Sequence, residues 1–188
     1  MTRCPYCQTP IPRDAPECVS CRLTFPRTNS LVGALPRLNT VVGDTTGQLR
    51  RAEINRLKRE VTRLQNQYPQ LIVQLVMHSF PNEHPFSMYA FWLFNAGAFA
   101  GETNKGPANY CLVVVVDPVR CEAGIVPGYG LESFMSEDAT GHILEMAGPA
   151  FESGKWETGF ELILEGISEL LKVGSVTEDL NQGVGTEF

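Results

Sequence analysis

Residues 111–127 read CLVVVVDPVRCEAGIVP, and the interpretation of that stretch decides the fold. The apolar run from Cys111 to Val116 is long enough for a strand and far short of the roughly 18 residues a membrane span requires. Asp117-Pro118 marks a turn, and Cys121 to Pro127 returns as a second strand, which makes the stretch a hairpin. Cys111 and Cys121 flank the apolar run, are not cross-strand partners in that hairpin, and read as buried free thiols.

Working back from the hairpin, ETNKGPAN (102–109) is a polar loop and HPFSMYAFWLFNAG (84–97) an apolar helix. Its aromatic residues Phe86, Tyr89, Phe91, Trp92 and Phe94 read as core rather than as a cofactor box. Pro69 ends a preceding helix, and QLIVQLVM (70–77) follows it as a buried strand. That helix, from about 47 to 67, carries Ile54, Leu57, Val61 and Leu64 at helical spacing. Its outer face holds Arg50, Arg51, Arg56, Lys58, Arg59 and Arg63, which is either a solvated face or a patch for an acidic partner. LVGALPRLNTVVGDTTG (31–47) is read as mostly extended, ending in a turn suited to cap the helix.

Beyond the hairpin, Ser136-Glu137-Asp138 opens a helix. A last helix from about Lys155 to Lys172 buries Phe160, Ile163, Leu164, Ile167, Leu170 and Leu171. The order β-α-β-α-β-β-α-α predicts an α/β fold, a mixed sheet flanked by helices in α/β/α layers. The sequence divides as a zinc ribbon (1–26), a linker (27–37), the α/β domain (38–172) and a flexible tail (173–188). Ribbon and α/β domain are expected to fold independently.

The ribbon rests on CPYCQTPIPRDAPECVSC (4–21), where Cys4-x-x-Cys7 and Cys18-x-x-Cys21 form two tight turns. Four thiolates satisfy a tetrahedral zinc ion completely and leave no open position for catalysis, so the site is structural. So short a segment cannot bury enough apolar surface to fold alone, and the metal would supply the folding energy. The same ligands suit a rubredoxin-like iron. Disulfides would call for an oxidising compartment, and no export signal is evident, so a cytoplasmic location is expected.

With 188 residues, 43% of them hydrophobic, the chain can bury one good core. A net charge of −6 argues against nucleic acid as the main partner. The ribbon itself adds only Arg3, Arg13 and Arg22. No phosphate-binding loop of the G-x-x-x-x-G-K-[ST] kind is present, neither Cys111 nor Cys121 opens a C-x5-R loop, and His78, His84 and His142 are scattered. His142 follows Asp138 by four residues, a pairing open to a proton relay or a surface ion pair.

From about Leu38 to Leu171 the chain resembles the TPM domain family. The matching stretches are FWLFNAG (91–97), NYCLVVVVDPVRCEAGIVPGYGLE (109–132) and SEDATGHILEMAGPAFESGKWETGFELILEGI (136–167). Gly128-Tyr129-Gly130-Leu131-Glu132, Asp138 and the Pro149…Gly154-x-Trp156…Gly159 spacing carry most of the specificity. The chain departs from the family in its ribbon and in GPANY (106–110), where members commonly have Asn-Gly. The resemblance implies one of two functions. The first is binding to a protein complex, including membrane-associated ones, as an interaction, assembly or repair factor. The second is acid phosphatase activity linked with calcium or magnesium.

For the second, Asp44 and Asp138 are the candidate catalytic residues. Asp44, Glu132, Glu137 and Asp138 together form a candidate site for a hard cation bound through oxygen. For Glu137 and Asp138 the alternative is that they only offset the positive N-terminus of their helix, and for Asp138 alone the two roles stand level.

Overall fold

The computed structural model describes residues 2–12, 15–33, 40–96 and 110–183. The polar loop over 102–109, Lys105 within it, most of the segment read as extended before 40 and the last residues of the tail lie outside them. The core is a sheet of four strands, β3 (Val42–Asp44), β4 (Ile72–Met77), β5 (Cys111–Asp117) and β6 (Glu122–Pro127), in that order. β3, β4 and β5 run parallel, and β6 returns antiparallel as the hairpin partner of β5, with Asp117 opposite Glu122 and Leu112 opposite Pro127. Ahead of β3 lie a small ribbon, β1 (Thr2–Arg3) paired with β2 (Pro10–Ile11), and helix α1 (Phe25–Val32).

Side chains alternate across a strand, and both faces of β4 and β5 are apolar. Val73, Leu75, Met77, Leu112, Val114 and Val116 face one core, against α2 (Arg51–Gln67), α4 (Glu137–Glu152) and α5 (Trp156–Gly183). Ile72, Val76, Cys111, Val113 and Val115 face the other, against α3 (Phe86–Ala96). Every residue of β4 and β5 is buried, as a parallel sheet covered on both sides demands. The α/β/α layering expected from element order is therefore what the chain adopts.

Four local readings change. Residues 27–32 of the segment read as linker are helical, part of a helix that starts at Phe25: Thr24 caps it by accepting the Arg27 N–H, and Pro26 sits in the first turn, where its missing N–H costs nothing. Helix α2 begins at Arg51 rather than near 47, because Asp44 folds residues 45–49 into a turn of their own. Helix α5 runs on to Gly183, so the backbone after Val173 continues the helix instead of fraying there. Cys111 is buried as expected, but Cys121 is exposed at the hairpin turn with φ of 53°.

The α4–α5 pair shows why the Pro149–Gly159 spacing exists. Gly154, at φ of 68°, lets the chain reverse after α4, and its N–H returns to Phe151 O at 2.9 Å. Trp156 then stacks on Phe151, ring centroids 6.0 Å apart, and Phe160 meets the same ring edge-on. A Cβ on Gly159 would overlap the Phe151 ring, so the helices close to this distance only with glycine there.

Gly159→Ala is therefore expected to cost about 1–3 kcal/mol by overpacking. Gly141→Ala, on the same hairpin but facing open space, should be neutral or stabilising, by up to about 1 kcal/mol of helix propensity. Urea denaturation of both variants checks the pair; equal effects would mean that the Phe151 contact does not set the helix spacing.

Candidate metal centre and carboxylate sites

The two cysteine turns have the same backbone. Cys4 N–H donates to Thr9 O and Gln8 N–H to Cys4 O, each at 2.9 Å. Fourteen residues on, Cys18 N–H donates to Leu23 O at 3.0 Å and Arg22 N–H to Cys18 O at 2.8 Å. The residue after each second cysteine takes a left-handed conformation, Gln8 at φ of 59° and Arg22 at 55°. Two knuckles of one shape thus face each other and aim their sulfurs inward.

The Sγ atoms of Cys4 and Cys21 are 3.7 Å apart, those of Cys7 and Cys18 3.6 Å, and all four lie within 4.8 Å of one another. A tetrahedral ion with metal–sulfur bonds of about 2.3 Å holds its sulfurs about 3.8 Å apart, so the cluster has the dimensions of a four-thiolate metal site. Thr9 lies 3.3 Å from Cys7 Sγ, and hydrogen bonding by its hydroxyl and its N–H holds that thiol down to about 6. Burial pushes Cys21 up to about 12, and it raises Cys4 as well. Among the described residues this is the only group of three or more His, Cys, Asp or Glu placed to hold a metal ion.

The candidate carboxylates do not converge. Asp44 ends β3 opposite Met77, at the C-terminal end of the parallel strands. Gly128 donates its N–H to Cys111 O at the other end, and the turn Tyr129–Leu131, Glu132 and the start of α4 follow from there. At about 3.3 Å per residue, the length of β5 puts roughly 20 Å between the two ends. Glu137 and Asp138 are exposed in the first turn of α4, where Ser136 caps the helix by accepting the Ala139 N–H and where negative charge is favoured. Glu137 pairs with Arg3 at 3.5 Å. His142 faces Glu145, at 4.0 Å, rather than Asp138.

Asp44 is occupied by its own turn. Oδ1 accepts from Thr46 N–H, Thr46 Oγ1–H and Gly47 N–H at 2.7, 2.7 and 3.0 Å, and Oδ2 accepts from Leu49 N–H at 2.8 Å. The residue that sequence reading missed is Asp117, taken only as a turn marker. It is fully buried; Oδ2 accepts from Phe80 N–H at 2.8 Å, and Oδ1 from Val119 and Arg120 N–H at 2.9 and 3.1 Å. One carboxylate thus closes the hairpin and ties it to the chain leaving β4. Arg120 strengthens the tie, donating to Pro81 O and His84 O at 3.1 and 2.9 Å while pairing with Glu122. Its place is at this end of the sheet, not beside Gly128–Asp138. His78 sits here too, 2.6 Å from Thr45 Oγ1, its pKa lowered by burial in spite of the nearby Asp117 charge. A cleft of about 150 Å³ between the hairpin and the α4–α5 pair collects Asp117, Glu122, Glu152 and Cys121.

Asp44→Ala removes the acceptor for four donors and is expected to cost about 1–3 kcal/mol of folding stability. Calcium titrated into the wild type and the variant, followed by calorimetry, should give no difference in heat. A calcium-binding isotherm lost in the variant would return Asp44 to a ligand role.

The TPM domain model matches residues 42–170, from the first residue of β3 into α5, and leaves the ribbon and α1 outside. Among solved structures, the N-terminal domain of cg2496 protein from Corynebacterium glutamicum aligns with a TM-score of 0.52 and 16% identity, over 73% of this chain and 84% of its own. The N-terminal domain of a protein from P. gingivalis aligns with a TM-score of 0.55 and 18% identity, over 71% and 83%. At these identities the shared feature is the fold. None of the curated proteins matches the chain. Sheet order, the α4–α5 hairpin and a match spanning most of the sequence lead to one assignment: the chain belongs to the TPM domain family.

Proposed function

We propose that this chain is a binding protein rather than an enzyme, an interaction or assembly factor built from a TPM domain and a zinc ribbon. The observation that carries this reading is how the carboxylates are spent. Asp44 and Asp117 are consumed by backbone and hydroxyl donors of their own loops, and Glu132, Glu137 and Asp138 stand at the far end of the sheet from Asp44. Phosphoryl transfer needs an aligned nucleophile with positive charge around the transferred group. Arg56 is paired with Glu157, Arg63 with Glu60 and Arg120 with Glu122, so these guanidiniums already have partners.

Zinc is the ion we assign to the four cysteines, since closed four-thiolate sites are its usual structural setting. No helix of the described residues is long and apolar enough to cross a membrane. The partner in this reading is a protein complex met at the surface, with a membrane-associated one included, and nucleic acid plays no part.

Three measurements test the reading together. Elemental analysis should find one zinc per chain, lost in Cys18→Ser. Hydrolysis of p-nitrophenyl phosphate at acid and neutral pH, with and without calcium or magnesium, should stay at the buffer rate. Turnover that disappears in Asp44→Asn or Asp138→Asn would make the chain a phosphatase. Affinity capture should also yield a protein that recovers this chain when used as bait in turn.

A further inference from the structure

We infer that the cysteine cluster is a metal-operated latch on α3: a thiolate-bound ion holds the ribbon closed over the outer face of that helix, and losing the ion uncovers it. The inference deepens the proposed function and rests on its reading of the four cysteines as a metal site.

Helix α3, FSMYAFWLFNA, is apolar nearly all round, and such a helix needs cover on every side. Phe86, Tyr89, Ala90 and Leu93 pack toward the sheet, and Trp92 reaches the same cluster from the edge of the roofed side. The remaining side is roofed by the N-terminal segment. Met88 is fully buried against Cys4, Cys18 and Leu23, and Phe91 meets the Phe25 ring edge-on at 6.4 Å. Trp92 is 1% exposed and donates its indole N–H to Asn29 Oδ1 at 3.1 Å. Met88, Phe91 and Trp92 stand at i, i+3 and i+4, one contiguous stripe.

The roof depends on the shape of the knuckles. Ser87 Oγ donates to Pro5 O at 2.6 Å and accepts from Gln8 Nε2 at 3.2 Å, and both Pro5 and Gln8 belong to the first knuckle. The second knuckle ends at Leu23, next to Thr24, the cap of α1, and α1 supplies Phe25 and Asn29. Two of the residues covering Met88 are themselves metal-site cysteines. The ribbon has too few apolar side chains to keep this form unaided, and its two-residue strands contribute little. Without an ion, the sulfurs lose the bonds that hold the knuckles together, and the contacts to Ser87, Met88 and Trp92 go with them. The α2, α4 and α5 side of the sheet shares none of these residues and should persist.

The test uses the full chain with Trp156→Phe, which keeps an aromatic ring over Phe151 and leaves Trp92 the sole indole. With zinc bound, Trp92 emission should be blue-shifted and poorly quenched by acrylamide. A strong chelator should shift it to the red and raise the quenching constant several-fold, with most helical circular dichroism kept and full reversal on adding zinc back. Cys18→Ser should resemble the stripped protein. Should Trp156→Phe fold poorly, the difference between wild-type and Trp92→Phe spectra reads the same signal. A metal that leaves while Trp92 stays shielded overturns the latch and spares the metal site. Collapse of all helical signal on stripping overturns it too, since the cover would not be local. A protein that binds no ion from the start removes the metal reading, and the latch with it.

Discussion

Burial of β4 and β5 on both faces is the constraint from which the rest of this architecture follows. Strands in which every residue is out of water must be covered on both sides, and the hairpin that returns as β6 leaves only helices and the N-terminal segment to do it. The two sides are covered unequally. Three helices, α2, α4 and α5, pack on one face, while among the described residues the other has α3, backed by α1 and the ribbon. The ribbon is thereby part of the second layer. The match to the TPM model begins at β3, so the ribbon and α1 lie outside the matched stretch.

The thicker side is set by close helix contact. Gly159 admits the Phe151 ring, and a Cβ at Gly166 would lie 2.7 Å from Ile143 Cγ1, so two glycines of α5 let α4 approach. Arg56 of α2 joins Glu157 at the start of α5 through two hydrogen bonds, the second at 2.7 Å, which ties the third helix to this pair at the same end of the sheet. Being partly exposed, that ion pair fixes geometry more than it adds stability.

Much of the fold was legible because its signals are local and periodic. The apolar run 111–116 with its Asp-Pro turn, the helical spacing of Ile54 to Leu64 and the Ser136 cap each specify an element without reference to the rest. The two Cys-x-x-Cys turns are likewise self-contained, and their thiols meet as their spacing implies. Helix α1 escapes sequence reading because Pro26 reads as the end of the ribbon and Asn29 as linker, whereas Thr24 and Pro26 together make a helix start. The carboxylates were misjudged for another reason. Nearness in sequence keeps Glu132, Glu137 and Asp138 at one end of the sheet, but which end of a strand Asp44 occupies depends on parallel register, which composition does not reveal. Asp117 was overlooked because its partner, the Phe80 N–H, lies 37 residues away.

If a metal-held ribbon completes the cover over one face of the sheet, removing the ion must open that face. Hydrogen–deuterium exchange by mass spectrometry, on the full chain with zinc and after chelation, tests it most directly. Peptides spanning 86–96 and 25–32 should lose protection when the ion is removed, while those spanning 137–152 and 156–170 keep theirs. Equal protection of the 86–96 peptide in both states would contradict it.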